Sequence, residues 1–73
     1  MKDGKYGTVT LEKKPDAPAD EPCFVLRAQD QLAAETVRYY ADAVEDEIGK
    51  AEANQIRVRA DEMEAWPTKK LPD

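Results

Sequence analysis

The stretch QLAAETVRYYADAVEDEIGKAEANQIRVRADEMEA, residues 31–65, decides the fold of this 73-residue chain. Apolar residues recur in it every three or four positions, which predicts one amphipathic helix over residues 31–48 and a second over residues 50–65. Asp30 is expected to cap the first helix, and Trp66-Pro67 to end the second. The apolar stripes consist of Ala33, Val37, Tyr40, Ala41, Val44 and Ile48, and of Ala53, Ile56, Ala60 and Met63.

Gly49 separates the two helices, and its role decides between two architectures. In the one we favour, Gly49 ends the first helix and the helices form an antiparallel hairpin. In the alternative they form one long helix bent at Gly49, at a cost of about 1 kcal/mol for an interior glycine. A rod of this kind would leave its apolar stripe uncovered within its own chain, so self-association would be compulsory.

A short two-stranded β element is predicted before the helices, so the expected fold is α+β in a single domain, residues 1–73. Residues 1–14 are assigned as a strand because Val9 and Leu11 alternate with polar residues. The remaining segments are an extended linker rich in proline and acids (15–22), a second strand covered on both faces (23–28) and a polar tail (66–73). A buried helical turn competes with the strand for residues 23–28, because so short a run has no decisive periodicity.

Composition restricts the partners of the chain. With a net charge of -5, it lacks the basic face by which proteins bind DNA or RNA, and anionic lipid would repel it. No apolar run approaches the roughly 20 residues that span a bilayer, and the first residues lack the apolar core of a secretory signal. We therefore expect a soluble, cytoplasmic protein that binds neither nucleic acid nor membranes. Because so small a chain has little core and lacks disulfide or zinc ligands, a homo-oligomer is expected.

Catalytic residue patterns are weak in this sequence. Cys23 is the single cysteine, and the chain has no histidine to activate it, so a buried structural thiol is the expected interpretation. The acids of residues 45–47 are contiguous and fan around a helix, and neither glycine near the N-terminus opens a helix as a phosphate-binding loop does. The prediction is a non-enzymatic protein without catalytic residues, cofactor or metal.

Cationic and aromatic residues are the more informative set. Arg27 precedes the first helix, Lys69 and Lys70 follow Trp66, and Tyr39 lies off the apolar stripe. Cations, an aromatic plane and a helix N-terminus are the groups that bind a nucleotide phosphate and base. Taken singly, each residue also has a structural interpretation: Arg27 pairs with an acid, Trp66 covers the core, and the lysines keep the tail in water.

Two segments resemble small uncharacterised bacteriophage and prophage proteins. Phe24–Asp30 is similar to their F-x-L-R-A-Q-D segment, and Met63–Asp73 to their M-x-x-W-x-x-K-K-x-P-D ending; Val37–Ala41 also fits. The resemblance spans residues 20–73 and implies a phage accessory protein in the host cytoplasm. It also implies that six residues act together: Arg27, Gln29, Asp30, Trp66, Lys69 and Lys70.

Three functions follow as hypotheses. The first is binding or sequestration of a small phosphorylated ligand, such as a nucleotide signal of host defence, at Arg27, Gln29, Asp30, Tyr39, Trp66, Lys69 and Lys70. The second is inhibition of a host defence protein through an acidic surface on residues 42–47 and 61–64. The third is a small structural oligomer.

Overall fold

Three two-residue strands and two helices form the secondary structure of residues 1–71, the part of the chain that this computed structural model describes. Pro72 and Asp73, the end of the predicted tail and of the second motif, lie outside the described residues. The elements are β1 (Lys2–Asp3), β2 (Gly7–Thr8), β3 (Pro22–Cys23), α1 (Ala33–Ile48) and α2 (Lys50–Glu64). The predicted α+β class is confirmed.

The two helices form the predicted hairpin, and the bent rod is excluded. Gly49 alone connects them, with φ 92° and ψ 158°, a backbone conformation that is essentially restricted to glycine. Its N–H donates to the Glu45 carbonyl at 2.9 Å, and its own carbonyl accepts the Ala53 N–H at 3.1 Å. The residue thus closes α1 and opens α2 without any further loop.

Small side chains fill the seam between the helices. The buried apolar residues are all alanines, and no large side chain is fully buried among residues 1–71. The predicted stripes are thus confirmed at their alanines, whereas the larger members lie at the edges of the seam. Tyr40 is the clearest case, with 58% of its surface exposed. The buried alanines are Ala33, Ala34, Ala41, Ala53 and Ala60.

The first helix begins two residues later than predicted. Asp30 accepts the Leu32 N–H on its Oδ1 at 2.8 Å, and its carbonyl accepts the Ala33 N–H at 3.1 Å. Asp30 therefore forms a turn ahead of α1, and Leu32 occupies the cap position. The second helix ends at Glu64, before Trp66-Pro67, as predicted to within one residue.

The sheet has three strands in the order β2-β1-β3, where two strands were predicted. The pair β1–β2 is antiparallel, with Lys2 opposite Thr8, and the pair β1–β3 is parallel, with Lys2 opposite Pro22. The strand predicted over residues 1–14 is thus a tight hairpin that ends at Thr8. Beyond it, Val9 and Leu11 are half-buried and their neighbours are exposed. The apolar–polar alternation of these residues therefore corresponds to alternating burial, although they are not part of a strand.

The linker over residues 15–22 is folded rather than extended. Ala17 donates to the Lys14 carbonyl at 3.3 Å, and Glu21 donates to the Pro18 carbonyl at 3.3 Å. In the first of these turns Pro15 holds the second position, where its fixed φ is favourable. The turns bring Pro22–Cys23 back beside β1.

The strand predicted over residues 23–28 is reduced to Cys23, and its expected coverage on both faces is wrong. Phe24 is 83% exposed. The Val25 N–H donates to the Asp3 carboxylate at 2.6 Å, so a side chain replaces the backbone acceptor that would continue the ladder. Cys23 itself is half-buried in β3.

Candidate ligand-binding cleft

The polypeptide tail returns to the segment that precedes α1. Lys70 donates its N–H to the Gln29 carbonyl at 2.7 Å, and Gln31 donates its N–H to the Lys70 carbonyl at 3.0 Å. These bonds form an isolated parallel bridge between Asp30 and Lys70. The two sequence motifs, which are about 40 residues apart, are therefore adjacent in space.

Lys69 connects the returning tail to the end of α2. Its Nζ donates to the Ala28 carbonyl at 2.8 Å and to the Met63 carbonyl at 2.6 Å. Met63 lies in the last turn of α2, where carbonyls lack helical partners and a cation is favourable. Lys69 thus makes a structural contact in this arrangement, and its predicted contact with a ligand remains a prediction.

A cleft of about 290 Å³ lies where the β1–β2 turn, the segment after β3 and the tail meet. Four residues predicted as ligand contacts line it: Arg27, Gln29, Asp30 and Lys70. The other walls include Lys5 and the aromatic side chains of Tyr6 and Phe24. Cationic residues from three separate chain segments therefore surround one opening.

Tyr6 is the aromatic centre of the cleft, and sequence reasoning assigned it no role. The Lys5 ammonium lies 5.4 Å from the centroid of its ring, and the Arg27 guanidinium lies 5.6 Å from it. Both distances are in the range of cation–π attraction. The available sequence signal was Gly7, because a glycine directly after a three-residue loop favours a hairpin turn. Gly7 has φ 80° and follows the loop of residues 4–6, which contains Tyr6.

Asp3 is the buried carboxylate that shapes this end of the molecule. Its Oδ1 accepts the Lys5 and Tyr6 N–H groups at 2.8 Å each, and its Oδ2 accepts the Val25 N–H at 2.6 Å. The bond from Tyr6, followed by that from Val25, lowers the pKa of this carboxyl below its usual value, against the opposing effect of burial. One charged group thereby joins the β1–β2 turn to the segment that carries Arg27.

A second groove borders the cleft and contains Trp66. It is lined by Arg27, Ala28, Gln29, Trp66 and Thr68, so Arg27 and Gln29 stand between the two openings. Trp66 is 54% exposed and shares this groove with Arg27; its predicted contact with a ligand remains a prediction. Tyr39 lines neither opening; it lies on the outer side of α1 and is 77% exposed.

Arginines neutralise much of the acidic surface predicted on the helices. Arg38 bonds Asp61 at 2.7 Å and Glu64 at 2.8 Å. Arg57 bonds Asp42 at 2.7 Å and Glu45 at 2.8 Å. These contacts raise the pKa of Arg38, through Glu64 first and then Asp61, and raise that of Arg57, through Asp42 first and then Glu45.

Within residues 1–71, no group of three acidic or cysteine side chains is arranged to hold a metal ion. Over the same residues, neither helix has the length and apolar character needed to cross a membrane. Comparison of the chain with protein-family models, curated proteins and solved structures finds no match.

Proposed function

We propose that this protein binds a small phosphorylated ligand of the nucleotide type in the cleft beside Tyr6, and that it does so as an oligomer. The observation that carries the proposal is the convergence of Lys5, Arg27 and Lys70 around two aromatic side chains. Each cation comes from a different segment, so the fold, rather than local sequence, assembles the set.

The chemistry of the cleft supports an anionic ligand with a planar group. Arginine binds phosphate oxygens through paired N–H donors, and lysine does so as a point charge. Phe24 leaves most of its surface in water beside these cations, and an exposed aromatic ring of this kind is a favourable stacking surface for a base. The volume of about 290 Å³ lies at the small end of known ligand sites.

The two acids of the cleft do not oppose this assignment. Asp3 directs its charge at three backbone N–H groups, and Asp30 accepts a bond from Leu32. Local positive potential is sufficient for a site even on a chain of negative total charge.

Binding without catalysis is part of the proposal. The lowered pKa of Asp3 makes its carboxylate a weak general base. The phage origin, the host cytoplasm and the sequestration of a defence signal belong to the same proposal; their support is the resemblance of residues 24–30 and 63–73.

Isothermal titration against a panel of linear and cyclic nucleotides tests the proposal. We expect at least one nucleotide to bind, and Arg27→Gln and Lys70→Gln each to weaken that binding by about tenfold, which equals about 1.4 kcal/mol. Lys13→Gln and Lys14→Gln are the matched controls, since each removes one positive charge from a residue outside the cleft. Silence across the panel, or equal losses in controls and cleft variants, would reject the site.

The protein-inhibitor hypothesis has less support from the structure. Four acids of its predicted surface already pair with Arg38 and Arg57, so less charge is left to attract a basic partner. Asp46 and Glu47 are exposed and would be its centre. The inhibitor hypothesis predicts that the wild type captures a host protein, that salt weakens this binding, and that Asp46→Lys abolishes it. That result would favour a protein partner over a small ligand.

A further inference from the structure

The helical hairpin has two different open faces. One carries the ion pairs of Arg38 and Arg57, which cross from helix to helix. By helical spacing, the opposite face carries Tyr40, Val44 and Ile48 from α1 and Ile56 from α2. We call this second side the apolar face.

The apolar face is uncovered towards the Gly49 end of the hairpin. Tyr40 is more than half exposed, and Ile48 is 38% exposed. A shallow groove crosses this end, lined by Ile48, Glu52, Gln55, Ile56 and Arg59. Ile48 and Ile56 are its apolar residues. Glu52 is its acid and Arg59 its base, and Arg59 also lies 3.5 Å from Glu62 on the exposed surface of α2.

The accessible surface of the molecule is larger than that expected for a compact monomer of the same mass. The accessible surface is 5852 Å², whereas a compact monomer of 8.2 kDa is expected to expose about 4,500 Å². The excess of roughly 1,300 Å² exceeds the roughly 800 Å² that each partner buries in a standard interface. Tyr40 and Ile48 contribute to this excess from the apolar face, and a second copy of the chain is always present to cover them.

We propose that a second copy docks on the apolar face by two-fold symmetry, with α2 antiparallel to the partner's α2. Glu52 and Arg59 are seven residues apart, so they lie on one side of α2 two turns from each other. Both are equally distant from the point between Gln55 and Ile56. A two-fold axis at that point sets Glu52 opposite the partner's Arg59, and Arg59 opposite the partner's Glu52.

In a dimer with two-fold symmetry the same surface of each copy forms the contact, so that surface must be complementary to itself. Gln55 and Ile56 then lie nearest the axis, and the charges of Glu52 and Arg59 lie at the two ends of the contact, as charged groups lie at the rims of other interfaces. This inference deepens the oligomeric part of the proposed function and names its surface. It does not depend on which ligand the cleft takes.

Charge reversal gives a test that only this arrangement satisfies. Glu52→Arg sets two arginines opposite each other, and Arg59→Glu sets two glutamates opposite each other, so each variant alone is expected to dimerise at least tenfold more weakly than wild type. An equimolar mixture of the two variants restores opposite charges at both contacts, and we expect a heterodimer. Sedimentation equilibrium and native mass spectrometry of the singles and of the mixture measure these outcomes.

Asp46→Arg and Lys13→Glu are the controls, because they reverse charge on exposed residues away from the groove. The mixture also controls for folding, since a variant that failed to fold would not be rescued. Wild-type protein that is monomeric at all concentrations, single variants that dimerise normally, or a mixture without heterodimer would each overturn the interface. Nucleotide titration of the same variants separates this result from the cleft, which they leave intact.

Discussion

Asp3 shows how one side chain organises a region that has almost no regular structure. The sheet offers only two residues per strand, so its ladders contribute few hydrogen bonds. The carboxylate adds three bonds from backbone N–H groups of two separate segments. Bonds to a charged acceptor are stronger than neutral ones, which lets a single residue replace a longer strand.

Stability is expected to fall in acid through this group. The pKa of Asp3 is lowered in the folded chain from about 3.8, so its contribution is fully present above that value and is lost as pH falls through the folded pKa. Asp3→Asn is expected to lower the melting temperature at pH 7, because an amide offers one acceptor and turns its donors towards an N–H group. Thermal unfolding from pH 7 to pH 2 measures both effects.

The comparison that isolates Asp3 is the difference between wild type and variant at each pH. We expect this difference to begin to shrink below about pH 4, where the carboxyl of the unfolded chain protonates, and to be lost at lower pH as the folded carboxyl protonates. Asp16→Asn, on an exposed linker residue, should leave the wild-type profile unchanged. A constant difference between Asp3→Asn and wild type across the whole range would show that charge at Asp3 is irrelevant.

At the scale of elements, the hairpin depends on the backbone of Gly49. A Cβ at this position meets no atom within 4 Å, yet φ is positive, so the cost of any other residue is conformational rather than steric. Gly49→Ala is expected to destabilise the fold by about 1–3 kcal/mol. Urea unfolding measures this change.

Gly4→Ala is the matched control, because Gly4 has equal space around it and no positive φ. Its effect should remain within about 0.5 kcal/mol. If both variants unfolded at the same urea concentration, the one-residue connection would not depend on glycine, and a relaxed loop would be the better description of the turn.

The helices were the predictable elements, and the reason is physical. Their apolar spacing extends over about four turns before Gly49 and about three turns after it, and a period of 3.6 over that length has few competing explanations. The strands were not predictable at residue level, since two residues show no period. Residues 23–28 illustrate this, because Val25 bonds a carboxylate that lies 22 positions earlier in the chain.

The candidate site was predictable only where motifs marked it. Arg27, Gln29, Asp30 and Lys70 belong to the two motifs and line one cleft, while their contact with a ligand remains a prediction. Tyr6 belongs to the site because its ring lies beside Arg27, and a local sequence pattern does not predict a contact between residues so far apart in the chain. Tyr39 was predicted as a ligand contact because it was expected to be exposed. Exposure alone does not indicate whether a residue lies on the face of the helix that is nearest the cleft.

For the molecule as a whole, the limiting quantity is apolar burial. Alanines contribute little area each, and they supply the entire fully buried apolar core of residues 1–71. The radius of gyration is 13.5 Å, whereas a compact chain of this length is expected near 11 Å. The same large side chains that leave the monomer open would become core residues in an assembly.

Thermal stability should therefore depend on protein concentration. When folding is coupled to association, mass action raises the melting temperature as concentration rises. For a dimer of chains this small, the unfolding enthalpy implies about 5 °C per tenfold increase. Calorimetry over a hundredfold range of concentration, from roughly 1 to 100 µM, measures the slope. A melting temperature that stayed constant across this range would contradict the prediction. It would mean that the packed alanines between the helices and the hydrogen bonds of Asp3 stabilise a single chain, so that no second copy is needed for folding.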